Sequence, residues 1–285
     1  MKLLIIGKGF LGSATYSVGL KYKMNVMGTN KKKGTNVNVC NIDSLEKIIS
    51  NYKPDAIVNC AALTNIDEIE TSPESAFAVN VQGAMNVARV SNKHKIKLIH
   101  ISTDSVFDGN KELYIENDQP NPINEYAKSK KLGEDMVKSN SENYVIVRTN
   151  FYGEHKEKKF LFNWIIANLK HGKKITAFND IIFNPLEINN LAEMLVELCR
   201  IKFCGIIHLA SNEPISKYHF ARKIATGFDF NENLVLSGSV KDAKLIAKRP
   251  LNTSLKNSLA KKTLKTKMIS VDEWLESRIG TEKTY

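Results

Sequence analysis

The sequence predicts an α/β protein with a doubly wound parallel sheet and a small C-terminal α/β lobe. Short apolar strands alternate with helical stretches through the first half of the chain, which is the signature of a parallel sheet covered by helices on both sides. Several strand candidates, such as Ala56-Ile57-Val58-Asn59-Cys60, are nearly all apolar, as strands buried on both faces must be. A glycine-rich hexapeptide follows the first strand directly and opens the first helix.

Taken in order, strands are expected at residues 3–6, 25–28, 37–39, 56–60, 98–102 and 144–148. Helices are expected at 9–22, 44–52, 72–94, 123–139 and 159–171, with Asp43-Ser44 and Thr71-Ser72-Pro73 as start signals. Beyond about residue 150 the pattern loosens, and helices at 191–200, 217–225 and 271–278 are separated by short strands and loops. No linker rich in Gly or Pro divides the chain. The expected division is 1–150 as a dinucleotide-binding domain and 151–285 as mainly a second lobe, with some segments returning to the first.

Bulk properties narrow the function. The chain has 285 residues, 42% hydrophobic, enough for one large or two small cores. No apolar run approaches the length of a membrane span. Met1-Lys2 leads straight into an apolar strand and the glycine loop, which leaves no room for a signal peptide, so a cytoplasmic protein is expected. Cys40, Cys60, Cys199 and Cys204 form no Cys-x-x-Cys and no zinc pattern with the histidines, and are expected as plain reduced thiols. The net charge of +11 suits a solvated basic surface, an anionic ligand such as a nucleotide diphosphate, or nucleic acid. No nucleic-acid motif accompanies the scattered lysines, so neither nucleic acid nor membrane is expected as a partner.

Gly7-Lys8-Gly9-Phe10-Leu11-Gly12 is G-x-G-x-x-G between a strand and a helix. The first glycine permits the tight turn, the second a close approach to a pyrophosphate, and the third helix–strand packing, with the helix N-terminus facing the anion. The sheet is therefore expected to be of Rossmann type. Sites that prefer NAD carry an acid roughly 20 residues further on, bonded to the ribose 2′-hydroxyl. Here no Asp or Glu precedes Asp43, and the second strand runs into Asn30-Lys31-Lys32-Lys33. Lysines attract a 2′-phosphate that a carboxylate would repel. The expected cofactor is NADPH rather than NADH, with Asn30, Lys31 and Lys32 at its phosphate.

Tyr126 and Lys130 stand one helical turn apart on the helix expected at 123–139. An ammonium near a phenol favours the phenolate, so Lys130 is expected to lower the Tyr126 pKa towards working pH. Ser102-Thr103-Asp104 ends a strand, where doubly wound sheets hold their ligands. Thr103 can donate a hydrogen bond to a carbonyl oxygen. Thr103, Tyr126 and Lys130 together would polarise a ketone, with hydride supplied by nicotinamide and a proton by Tyr126. Each residue also has a bland role open to it, as a strand-end cap, a packing ring or a surface charge. His94, His100, His155, His171, His208 and His219 form no metal or triad pattern.

These residues resemble an extended short-chain dehydrogenase/reductase, and more closely the dTDP-4-dehydrorhamnose reductase family. The resemblance spans nearly the whole chain: the loop from Gly7 to Gly12, the block 53–67 containing Ala61-Ala62, the strand end 102–109, the run 116–126 into Tyr126 and on to Gly133-Glu134, then Arg148-Thr149, Phe183-Asn184-Pro185, 205–210 and 249–255. It implies a large NADP-binding domain and a small sugar-nucleotide lobe, to which the blocks from 183 onward are assigned. It implies reduction of a 4-keto sugar nucleotide, with Thr103, Tyr126 and Lys130 catalytic. It places Gly7, Gly9, Phe10, Leu11, Gly12, Cys40, Asn41, Ala61, Ala62, Leu63, Tyr126 and Lys130 along the cofactor. It places Thr64, Asp104, Ser105, Phe151 and Arg249 against substrate.

There are departures from the family pattern. Ser105 stands for a usual Tyr, Phe151 for a Trp, Cys40 for an Asp and Ala127 for a Gly, leaving the sugar and the nucleotide open. Thr15 and Asn189 fall where some relatives hold a dimer-bridging metal with glutamates, so no metal is expected, while a homodimer stays possible. Alternatives remain. Dehydratases of the superfamily need Glu where Ser105 stands. Epimerases retain NAD. A non-catalytic NADP-binding subunit, like the methionine adenosyltransferase regulatory subunit, would keep the same residues.

Overall fold

The computed structural model describes residues 1–29, 37–155 and 160–278. Its centre is a six-stranded, all-parallel sheet of β1 (Lys2–Ile6), β2 (Asn25–Thr29), β3 (Ala56–Asn59), β4 (Lys97–Ile101), β5 (Tyr144–Thr149) and β6 (Gly205–Leu209). The spatial order is β6-β5-β4-β3-β1-β2. Side chains of a strand alternate between faces, so β1 feeds two cores. Leu3 and Ile5 pack with Val58, Val145, Val147, Leu191 and Leu195 on one side. Leu4 and Ile6 pack with Leu45, Ile49, Val87, Leu98 and Ile146 on the other. This double burial is why the strands read as unbroken apolar runs.

Helices α1 (Phe10–Lys21) and α2 (Ile42–Tyr52) follow β1 and β2. α2 begins earlier than expected, because Asn41 is its cap and accepts from the Ser44 N–H at 3.0 Å. The strand expected at 37–39 does not form. Val37 and Val39 are buried, but the Val39 carbonyl is taken by the Asn86 side chain at 3.0 Å rather than by a neighbouring strand. The helix expected at 72–94 has three parts: Glu74–Phe77, a π-helical stretch Ala78–Gly83, and α3 (Ala84–Lys93). The widened turn carries Asn80, whose hydrogen bonds run outward to other segments. α4 (Glu125–Asn140) is capped by Asn124, whose side chain accepts from the Ala127 N–H at 2.8 Å.

Past β5 the chain forms α5 (Leu161–Lys170), α6 (Ile188–Arg200), α7 (Lys217–Gly227) and α8 (Val271–Ser277). A third core joins Phe162, Ile165, Phe183, Phe220, Ile224 and Trp274. Two segments belong with the main sheet instead. β6, assigned by resemblance to the C-terminal lobe, pairs in parallel with β5 from Gly205↔Val145 to Leu209↔Thr149. α6 buries Leu191, Met194 and Leu195 in the core of α1 and β1. Cys199 is buried, Cys40 and Cys204 are exposed, and all four cysteines are free thiols. Among the described residues no helix is long and apolar enough to cross a membrane.

Candidate active site

The sheet is parallel, so the C-terminal ends of β1, β3 and β4 open on the same edge. The glycine loop lies there after β1. Gly7 takes φ +85°, and a Cβ on Gly12 would stand 2.3 Å from the Gly7 carbonyl oxygen. Gly9 is different: a Cβ built on it would meet nothing within 4 Å. It leads into α1, which has no side-chain cap and no acid in its first turn. Uncapped helix N–H groups behind an open glycine backbone fit an anionic pyrophosphate, so the residues present fit a dinucleotide.

Ala61 lies directly against Gly7, and its N–H donates to Asn59 Oδ1 at 3.2 Å. Leu63 is held by Asn80, which accepts from its N–H at 2.9 Å and donates to its carbonyl at 3.0 Å. Asn80 also donates to Ser129 Oγ at 2.9 Å, which ties this loop to α4. Phe10 stacks on Phe160 with centroids 5.0 Å apart and meets Phe151 at 6.0 Å. Leu11 is buried in the core. Cys40 is exposed, with its thiol on the Ala78 carbonyl at 3.3 Å. The Asn41 side chain is engaged as the cap of α2. Asn30, Lys31 and Lys32 lie outside the described residues.

Thr103 follows β4 and caps a short turn at Asp104–Val106; its Oγ accepts from the Ser105 N–H at 3.2 Å. Tyr126 and Lys130 come from the first two turns of α4. The expectation that Lys130 would make Tyr126 acidic is overturned. Burial pushes the Tyr126 phenol up to about 12, the nearby Asp104 carboxylate adds to this, and a hydrogen bond with Thr103 only tempers it. The Lys130 ammonium donates instead to the Ile101 carbonyl at 2.7 Å. Its own pKa falls to about 8, first through burial, with Glu134 opposing the fall.

Asp104 is also less available than the resemblance implies. Its carboxylate receives Thr253 Oγ at 2.7 Å, Asn150 Nδ2 at 3.1 Å, Thr103 Oγ at 3.1 Å and Ser105 Oγ at 3.2 Å. Burial still raises its pKa. As placed, it fastens the end of β4 to Asn150 and Thr253. Arg249 pairs with Asp67 at 2.9 Å and donates to the Ala247 carbonyl at 2.8 Å. Phe151 is half-buried and Thr64 exposed.

Sequence reasoning gave no role to Asn80 or to the buried pair Arg148–Glu134. That pair is joined by bonds of 2.8 and 3.0 Å, and Ser102 donates to the same carboxylate at 2.6 Å. Gly133-Glu134 and Arg148-Thr149 carried part of the resemblance, but only three dimensions bring them together behind Lys130. Thr15 donates to the Leu11 carbonyl at 2.9 Å, and the Asn189 N–H donates to Glu187 at 2.8 Å.

A glycine loop, an open helix N-terminus and a Thr–Tyr–Lys group on one edge of a parallel sheet define a dinucleotide-binding α/β protein of the extended short-chain dehydrogenase/reductase type. The chain belongs to the RmlD substrate binding domain family, whose model matches residues 1–282. It is 32% identical to the probable low-salt glycan biosynthesis reductase Agl14 of Haloferax volcanii, over 77% of this chain and 75% of that protein. It is 29% identical to methionine adenosyltransferase 2 subunit beta of Bos taurus, over 89% of this chain and 80% of that protein. Among solved structures, dTDP-4-dehydrorhamnose reductase from Bacillus anthracis in complex with NADP superposes with a TM-score of 0.90. Sequence identity there is 30%, with 97% of each chain covered.

Proposed function

We propose that the protein is an NADPH-dependent reductase of a 4-keto sugar nucleotide, with Tyr126 as proton donor, Thr103 as a second donor to the reacting oxygen, and Lys130 as the residue that organises them. The observation that carries this reading is the bond of 2.7 Å from Lys130 to the Ile101 carbonyl at the end of β4, which brings the helix of Tyr126 beside Thr103 on the edge where the glycine loop opens. The similarity to a reductase that binds NADP supports the cofactor. The division into a dinucleotide-binding part and a substrate lobe is part of the same proposal.

When bound, the dinucleotide supplies the hydride. The chain supplies the rest. Tyr126, with its proton held by burial, enters at neutral pH as a donor and can give that proton to the oxygen that gathers charge. Thr103, whose hydroxyl donates to Asp104 at 3.1 Å, has to turn that hydrogen bond to the same oxygen to meet the charge there. Lys130, fixed on the Ile101 carbonyl, keeps a positive charge beneath the site, and the buried Glu134 keeps that charge favourable. Asn80 and Asn59 hold the loop at 61–63.

A panel of 4-keto sugar nucleotides incubated with NADPH tests the reading, followed at the nicotinamide absorbance, with products assigned by NMR. At least one member should be reduced to a hydroxy sugar. A second reading, a non-catalytic NADP-binding subunit, is favoured by the extent of similarity to the methionine adenosyltransferase subunit. It requires NADPH binding with no turnover of any member.

A further inference from the structure

Glu134 is a charge sunk behind the site, and its contacts lie on both sides of Thr103. It stands one helical turn after Lys130 on α4. Lys130 holds the Ile101 carbonyl at 2.7 Å, and Glu134 holds the hydroxyl of the next residue, Ser102, at 2.6 Å. Two successive turns of the helix thus grip two successive residues at the end of β4, which sets helix against strand in one register. The Ser102 N–H donates to the Val147 carbonyl of β5 at 2.7 Å. Arg148, the next residue on β5, closes the clasp with its two bonds to Glu134.

The clasp also reaches past Thr103. The Arg148 guanidinium lies 5.1 Å from the centre of the Phe107 ring. Phe107 is fully buried and closes the turn that Thr103 caps, with its N–H on the Asp104 carbonyl at 3.2 Å. The residue before Thr103 and the residue that ends its turn therefore rest on one ion pair. Stability is a poor reason for such a pair. Both partners are buried, both lose their water, and apolar residues of similar volume are often as stable. Arg148 Nη1 finds no partner among the described residues, which adds to the cost. An apolar pair could not receive the Ser102 hydroxyl, and a hydrogen bond fixes direction where apolar contact does not.

We propose that Glu134 is a positioning residue, which acts through Ser102 and Arg148 to hold Thr103 where the reacting oxygen must meet it. This rests on the reductase reading above and adds to it residues that act through Thr103. A hydroxyl that has to turn from Asp104 to that oxygen needs its main chain held still, because a misplacement of about 1 Å can cost about 10²-fold in rate.

Ser102→Ala cuts the clasp with least damage, since Glu134 keeps Arg148. S102A should bind NADPH within about twofold of the starting protein, which also reports that it folds. Its KM for the reduced sugar nucleotide should stay within about twofold while kcat falls about tenfold. Ser102→Thr keeps the hydroxyl and should restore kcat to within about threefold. A double-mutant cycle with Thr103→Val separates positioning from general loosening: in T103V, adding S102A should lower kcat less than about twofold, because the group it positions is gone. Glu134→Leu combined with Arg148→Met, which strands no buried charge, should lose at least as much kcat as S102A. The Ser105 N–H, which donates to Thr103 Oγ at 3.2 Å, reports without turnover. Its hydrogen exchange, read by NMR, should speed up about tenfold in S102A while the amides of α4 keep their rates. Full kcat in S102A or in the Leu–Met variant, equal losses in both backgrounds, or unchanged exchange at Ser105 overturns the inference and leaves the reductase reading standing. If the starting protein reduces no keto sugar, the reductase reading fails, and the exchange at Ser105 alone decides whether the clasp sets Thr103.

Discussion

Desolvation holds the proton on the half-buried Tyr126 and loosens the one on the buried Lys130. Their spacing along the helix was legible in the sequence. The direction of both shifts was not, because desolvation depends on what covers a group, and the carbonyl that takes the Lys130 ammonium lies on β4. Tyr126→Phe keeps the ring and removes the proton, so NADPH affinity should stay within about twofold while kcat falls by roughly 10²–10⁴-fold. Stopped-flow binding and steady-state assays separate the two effects.

Lys130 also leaves a mark on stability. Its folded pKa of about 8 lies below the ordinary 10.5. Between those values the unfolded chain holds more protons, so stability should rise with pH across that window, by at most about 1.4 kcal/mol per pH unit. Tyr126 acts oppositely and at higher pH: its phenol keeps its proton to about 12 instead of the ordinary 10, so stability should fall from 10 to 12. Urea unfolding at about pH 7.5 and pH 9.5, compared between the starting protein and Lys130→Met, singles out the lysine from Lys97, Lys217, Cys60 and Cys199, which titrate nearby, and the substitution should remove its share of the rise.

The elements of the sheet could be read from apolar runs and the glycine loop, and β1 to β5 formed close to the expected places. β6 could not be placed that way. Nothing local in Gly205-Ile206-Ile207-His208-Leu209 tells a strand of the main sheet from a strand of the second lobe; only pairing with β5 decides it. The π-helical stretch was hidden likewise, since its purpose lies in bonds from Asn80 to Leu63 and Ser129. α4 approaches this stretch so closely that a Cβ on Gly133 would stand 2.3 Å from the Asn80 carbonyl oxygen. Gly133→Ala should push the two apart and cost about 1–3 kcal/mol in chemical denaturation. It should also weaken NADPH binding, because the loop at Leu63 moves with Asn80.

Across the whole molecule, the net charge of +11 favours anionic ligands, and the site gives that preference a place. The uncapped start of α1 is one such place, suited to a phosphate. The lysine run at 31–33 follows β2 in sequence. Lys31→Glu combined with Lys32→Glu should narrow the preference for NADPH over NADH, measured as the ratio of their dissociation constants. Equal affinities in the starting protein would remove the basis for that preference.

The identity of the sugar was not legible in the sequence. Ser105 turns its hydroxyl onto Asp104 and Phe151 faces Phe10, and neither contact names a sugar. The most direct measurement incubates the protein with a 4-keto sugar nucleotide and NADPH deuterated at its transferring position, then reads the product by NMR. Deuterium on the former carbonyl carbon of the sugar is the expected result. Recovery of the keto sugar unchanged across the whole panel, with every deuterium still on a tightly bound nicotinamide, would contradict the proposal.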